Sequence, residues 1–347
     1  MYCIVGCLVA VQGWAQPQYE VVDLTKMFGE EFTAVDINNN GVVVGHMRLN
    51  ASQDQACIIQ NGKLIMLPKY QGKHSWYAIG INDNGDVLGA APLASTGTYH
   101  SILYRNGKVI DIGVPGHQGF PGSFAINNFT QATGFIGTTP FIWENGVTTP
   151  VAGEGVALAI NDTETLVGRV TVGVEHEARM WRQGVYSSLH PAWARRSEAV
   201  STNEADEAVG SAWALAGGQH AVLWRDGKDI QLGNFGGGQS RAYDINEQSQ
   251  VVGWANSAGQ PDEAFLWEQG TLYRVEDLIV GGSGFELLGR SIAINNAAQQ
   301  LTIGFGPSSN GWLLLNPVPE PSSIVILGGF AALLGFIRLR NHYLNNT

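Results

Sequence analysis

One phrase recurs along this 347-residue chain at a spacing that only a repeat architecture explains. It reads Ala-x-x-Ile-Asn-x-x-x-x-Val-x-Gly. Ala34 to Gly45, Ala78 to Gly89 and Ala242 to Gly253 carry it nearly unchanged. Weaker copies run from Phe124 to Gly134, Ala157 to Gly168, Ala199 to Gly210 and Ile292 to Gly304. The asparagines stand at Asn38, Asn82, Asn127, Asn161, Asn203, Asn246 and Asn295, a mean spacing of ~43 residues, in the range of a four-stranded propeller blade.

Each unit carries a second phrase. It reads Ala264-Phe-Leu-Trp-Glu-Gln-Gly270 in one copy and Ser101-Ile-Leu-Tyr-Arg-Asn-Gly107 in another, with Trp143, Trp181 and Trp224 at the same place in others. A third follows the glycine, as in Lys108-Val-Ile-Asp-Ile-Gly113. Every phrase is a short apolar, β-branched or aromatic run bounded by Asn, Asp or Gly, which is how strands joined by tight turns are written. One unit thus supplies four strands. The Asn and Gly of the first phrase are read as turn and structural residues, and Tyr104, Trp143, Trp181, Trp224 and Trp267 as aromatics packed between blades.

Seven copies predict an all-β, seven-bladed β-propeller of four-stranded blades. The last unit stops at its third strand, Gly311-Trp-Leu-Leu-Leu315, while the chain starts with an orphan strand, Tyr19-Glu-Val-Val-Asp-Leu24. A ring closed by the N-terminal strand completing the last blade accounts for both and leaves no unpaired edge. Two units depart from the pattern. Asn127 and Asn161 are only 34 residues apart, and the seventh copy has extra residues between Asn295 and Gly304.

This phrase set resembles the extracellular HAF-repeat family over about residues 19–316, with His220-Ala221-Val222-Leu223-Trp224 the nearest form of the family's signature strand. The resemblance implies an extracellular repeat protein.

The ends read as addresses. Residues 1–15 are apolar and end in small residues, as a signal peptide does, although the positive n-region is missing and a start upstream of Met1 is the favoured explanation. Residues 317–347 contain Val318, Pro319, Glu320 and Pro321, then the apolar run 324–337, then Arg338 and Arg340. Motif, short hydrophobic helix and basic stop resemble the PEP-CTERM sorting signal. The span is shorter than the ~20 residues of a comfortable membrane helix, and the arginines would stay on the cytoplasmic side. The resemblance implies transient inner-membrane anchoring, cleavage near Pro319 by an exosortase-type membrane protease, and release to the cell surface or exopolysaccharide matrix. The competing reading is an ordinary C-terminal anchor.

Composition narrows the partners. Asp and Glu number 30 against 19 Lys and Arg, so nucleic acid and anionic membranes are disfavoured. Extracellular polysaccharide or a surface protein remains. Cys57 is alone in the body of the chain and sits in an apolar run, a buried structural thiol.

No catalytic constellation is identifiable. No Gly-x-Ser-x-Gly elbow, P-loop or dinucleotide fingerprint stands in a strand-to-helix context, and no cofactor is implied. Asp36-x-Asn38-x-Asn40-Gly41 has the opening of a calcium loop but no closing acid, so no metal is assigned. The charged clusters Glu175-His176-Glu177 and Arg195-Arg196-Ser197-Glu198 fall between the expected strands and read as solvated loops. The functional expectation is an exported, non-enzymatic binding or scaffold module. The alternative is a polysaccharide-active hydrolase or lyase at the propeller channel. For the sorting signal, mass spectrometry of exported protein is expected to find a C-terminus near Pro319-Glu320-Pro321; an intact Thr347 would refute processing.

Overall fold

A computed structural model describes residues 16–51, 53–72, 75–92, 98–118, 122–306 and 310–319. The signal peptide, Glu320, Pro321, the apolar run and Arg338 and Arg340 lie outside these residues. Among the described residues no helix is long and apolar enough to cross a membrane.

Seven four-stranded antiparallel sheets form a ring. Blade one spans residues 32–66, blade two 77–118, blade three 123–150, blade four 156–188, blade five 194–231 and blade six 236–274. Blade seven draws three strands from residues 287–317 and receives Tyr19–Asp23 as its fourth, from Tyr19 opposite Pro317 to Asp23 opposite Leu313. The fold is a seven-bladed β-propeller, closed as expected. The short blade three keeps all four strands, with only Gly137 and Thr138 joining its second to its third.

The first strand of every blade lines the axis, and each carries a β-bulge absent from the sequence reading. The register slips between Ala34 and Asp36, Ala78 and Gly80, Ser123 and Ala125, Ala157 and Ala159, Ala199 and Ser201, Ala242 and Asp244, and Ser291 and Ala293. A bulge kinks its strand and increases the local twist. In blades one to six it also brings a carbonyl of the first strand against the glycine of the Val-x-Gly phrase. A Cβ on Gly168 would lie 1.9 Å from the Val156 oxygen, and one on Gly210 2.0 Å from that of Glu198. The repeated glycine is the imprint of the bulge on its partner strand.

Blade seven differs. Thr302, not Gly304, stands opposite the bulge, paired with Ser291; Gly304 pairs with Leu288, two residues on. A second bulge between Leu288 and Arg290 alters the approach of the two strands. A side chain fits there, and the Thr302 and Ser291 hydroxyls share a 2.7 Å hydrogen bond.

The aromatics of the third strands sit at the seams. Trp143 packs in a cluster with Leu88 and Leu103 of blade two, Trp224 with Val167 and Ala178 of blade four, and Trp267 with Val209 and Leu223 of blade five. Trp181 meets Ala125 and Ile142 of blade three, and Tyr104 the Val42–Val44 region of blade one. Apolar burial of this kind contributes most of the adhesion between blades. Cys57 is buried, and burial pushes its thiol pKa up to about 12, which suits a packing residue.

The repeated asparagines close a ring of their own. Each side chain is 2–4 % exposed. Its Oδ1 accepts the backbone N–H four residues on, at 2.8–3.1 Å, and holds the hairpin between first and second strands. Its Nδ2 donates to the main-chain oxygen of the corresponding asparagine in the next blade. The series Asn38, Asn82, Asn127, Asn161, Asn203, Asn246, Asn295 returns to Asn38 at 2.9–3.2 Å throughout.

This support lets the hairpins tolerate strain. The fourth turn residue has positive φ in all seven. It is glycine at Gly41 and Gly85 but Thr130, Glu164, Asp206, Ser249 and Ala298 elsewhere, where the left-handed conformation is costly. Replacing a ring asparagine orphans buried partners on two blades. Asn203→Ala is therefore expected to cost about 2–4 kcal/mol of unfolding free energy, whereas exposed Asn296→Ala should cost less than about 1 kcal/mol, as read by urea denaturation.

Candidate functional site: the two ends of the channel

The asparagine hairpins surround one mouth of the axial channel, a polar cavity of about 200 Å³. The residue after each asparagine builds a second ring. The N–H of Asn39 donates to Asp83, Asp83 to Asn128, Asn128 to Asp162, Asp162 to Glu204, Glu204 to Glu247, Glu247 to Asn296, and Asn296 back to Asn39, at 2.7–3.2 Å. This tier needs only an acceptor, so Asn, Asp and Glu all serve. Four of the seven are carboxylates. Burial, then the charge of Asp162 and of neighbouring acids, raises the pKa of both Glu204 and Glu247.

Deeper in, two carboxylates occupy the position just past the bulge, where the other blades have Gly80, Ala125, Ala159, Ser201 and Ala293. Asp36 accepts from the N–H groups of Ile37 at 2.8 Å and of Ile81 in the next blade at 3.0 Å. Asp244 accepts from Ile245, from Ile294 in the next blade, and from the Ser201 hydroxyl in the preceding one, at 2.9, 2.8 and 2.7 Å. Burial raises the Asp36 pKa to about 7, with the charges of Asp244 and Asp83 adding to it and the two amide donors opposing. Burial raises that of Asp244 to about 6 against its three donors. The calcium-like spacing has a different use: Asp36 and Asn38 spend their oxygens on backbone N–H groups. Among the described residues no cluster of His, Cys, Asp and Glu could hold a metal ion.

The opposite face carries the hairpins between second and third strands. It holds a pocket of about 340 Å³, lined by Arg169, His176, Arg196, Glu198, Trp213 and Arg241 together with Ser197. Glu198 lies five residues before Asn203, hence roughly 15 Å along the strand from the asparagine ring. The two charged clusters read as loops lie within strands, Glu175–Arg182 and Ala194–Thr202. These strands extend beyond their repeat phrases, and His176, Arg196, Ser197 and Glu198 converge on this pocket.

The Glu198 side chain is 8 % exposed and accepts from Arg169 Nη1 and Arg241 Nη2, both at 2.7 Å. The Arg196 guanidinium lies 3.9 Å from the Trp213 ring centroid. Burial, then the positive Arg169 nearby, lowers the His176 pKa, so its imidazole is neutral at physiological pH. A larger cavity of about 460 Å³ lies between blades four and five. Its arginines, Arg182 and Arg225, are paired with Asp206 and Glu207. The repeat phrase residues map to the structural end of the channel and to the blade seams; Arg169, Arg241 and Trp213 were not singled out from sequence. Their signal is positional: Arg169 directly follows Gly168, and Arg241 directly precedes Ala242.

No protein-family model matches the chain, and no curated protein matches it significantly. Solved structures match by shape. The β-propeller domain of the Trilobed protease from Pyrococcus furiosus aligns at a TM-score of 0.55 and 9 % identity, over 82 % of this chain and 95 % of that one. It is described as having an open velcro topology, in contrast to the strand closure here. YCF48 from Cyanidioschyzon merolae aligns at 0.51 and 12 %, over 88 % and 99 %. The acylaminoacyl peptidase of Pyrococcus horikoshii aligns at 0.52 and 10 %, over 90 % of this chain but about half, 55 %, of its own length. The likeness is one of fold alone.

The raised carboxylates set a pH dependence. A carboxyl group whose pKa rises on folding binds its proton more tightly in the folded state, so its stabilising contribution is full at low pH and is lost as pH rises. For Asp36 and Asp244 the window runs from about pH 4, the unfolded value, to about 7 and about 6 respectively. The melting temperature is expected to fall between about pH 4 and 7. Asp36→Ala, which places the residue of blades three, four and seven in blade one, should flatten that fall; parallel profiles would refute the assignment.

Proposed function

We propose that this chain is an exported, non-enzymatic binding propeller that holds its ligand on the face opposite the asparagine ring. The observation that carries the binding reading is the division of polar chemistry between the two faces. At the asparagine face the side chains bond one blade to the next around two closed rings. At the opposite face, side chains that depart from the repeat gather into a pocket spanning blades four, five and six. The destination is supported by sequence alone: the leader-like residues 1–15, the Val318–Pro321 motif with its apolar run and basic tail, and the likeness to extracellular HAF repeats. An exosortase-type protease is the processing partner in this reading. The released protein would act at the cell surface or in the surrounding matrix.

Asp36 and Asp244 favour a second reading, a hydrolase or lyase in the channel, because paired acids with raised pKa values are what acid–base chemistry on polysaccharide uses. Against it, the oxygens of both acids are held by backbone amides. The two readings separate when the full-length protein is incubated with acidic and neutral polysaccharides while retention and new reducing or unsaturated ends are both followed. Retention without turnover is expected. Turnover that disappears in an Asp36→Ala/Asp244→Ala double variant would establish the enzyme instead.

A further inference from the structure

The pocket of blades four to six reverses the sign of the molecule around it. The chain has a net charge of −11, yet three guanidiniums here face one carboxylate. Glu198 satisfies Arg169 and Arg241 through one nitrogen each, and Arg196 has no acidic partner among the described residues. Glu175, next to His176 in the chain, is paired with Arg195 at 3.8 Å. A half-buried guanidinium without a counter-charge is costly, and an anion bound at its terminal nitrogens would supply one.

The arginines are also fixed in place. The buried Glu198 anchors two of them from opposite sides, while the indole of Trp213 holds the third flat. Guanidiniums oriented in this way suit the planar two-oxygen face of a carboxylate, which Arg recognises through paired N–H bonds. Neither strand position carries arginine in blades one to three, where His46, Ala90 and Phe135 follow the register glycine and Thr33, Tyr77 and Gly122 precede its partner. The repeat does not require these residues.

We infer that this pocket binds the carboxylate of a sugar acid, free or as one residue of an acidic saccharide, with Arg196 and Arg241 as principal donors. The inference rests on the binding reading above. The volume of about 340 Å³ lies at the small end of the ~300–1,000 Å³ range of ligand pockets, which suits one compact ring. Around the arginines, the Trp213 indole offers an apolar edge for the C–H face of that ring. The neutral His176 imidazole, whose Nδ1 is hydrogen-bonded with the Thr171 hydroxyl at 3.3 Å, offers its other ring nitrogen to the hydroxyls. The side chains of Arg169 and Arg241 are 35 % and 29 % exposed, so the site is open on one side and a longer saccharide can continue past it.

Calorimetric titration of the full-length protein at low salt tests this with D-glucuronate, a uronate tetrasaccharide, D-glucose and an oligoglutamate peptide. Glucuronate is expected to bind with a Kd of about 1 mM or tighter, and glucose at least about 10-fold more weakly. A tighter tetrasaccharide identifies a chain residue as the natural ligand, and equal affinity a free sugar acid; both support the site. Arg196→Ala should weaken glucuronate at least about 10-fold, and Arg196→Lys, which keeps the charge but loses the planar fork, by a smaller factor, with the melting temperature unchanged. Glu204→Gln on the far face should bind as the parent does.

Equal binding of glucose and glucuronate would overturn the carboxylate site yet leave the binding reading standing. So would glucuronate affinity untouched by the Arg196 variants. Preference for oligoglutamate would overturn the sugar assignment. Turnover of the saccharide in place of binding would count against the binding reading itself.

Discussion

Seven asparagine side chains, each bonded to the main chain of the next blade, hold the inner edge of this propeller together. A carboxamide is the side chain for the task because it accepts and donates at once. Oδ1 folds its own hairpin while Nδ2 reaches across the seam, and the main-chain oxygen receives the bond from the blade before. Aspartate would lack the donor, and serine the reach. Because the ring is closed, every member supports two neighbours, and bonds of this kind polarise one another. Blades seven and one are joined here as firmly as any other pair, independently of the Tyr19–Asp23 strand that closes the outer edge.

That ring frees other positions. Once the hairpins are held by Oδ1, five of them accept a non-glycine residue in a left-handed conformation. The next tier out needs only an acceptor, so acids enter it, and the mouth becomes negative with Asp83, Asp162, Glu204 and Glu247. The opposite face is under no such demand. Residues there are constrained by the bulge and the seam packing, which leaves the side chains beyond them open to specialise. Arg169, Arg196, Arg241 and Trp213 stand in that unconstrained zone.

The sequence was legible wherever one residue answers to a local rule repeated seven times. Asn38 and its counterparts mark hairpins, Trp143 and its counterparts mark third strands, and the unmatched Tyr19–Leu24 run marks the closing strand. The bulge was not legible as such, because it is a relation between two strands. Its trace, the glycine opposite, was read as part of a turn phrase instead of as a close approach of backbones. Blade seven shows the cost of that reading: Gly304 fits the letter of the phrase, while Thr302 occupies the position. The charged clusters were misplaced for a related reason. Glu175-His176-Glu177 and Arg195 to Glu198 look like loops because they lack the alternation of a half-buried strand. They lie in strands whose pairing, not whose pattern, sets their length.

The amino-acid sequence by itself determined the number of blades, the strands in each, the way the ring closes and the residues at the hairpins, since all of these follow from local turn chemistry and a period. It also carries the two terminal segments that read as export signals. Only the tertiary structure decided which polar residues are structural and which are free. That question depends on partners in neighbouring blades, about 30 to 50 residues away along the chain, as where side chains from three blades meet around Glu198. Periodicity places residues along a strand; closure of the ring places strands beside one another, and the pocket exists only after the second has happened.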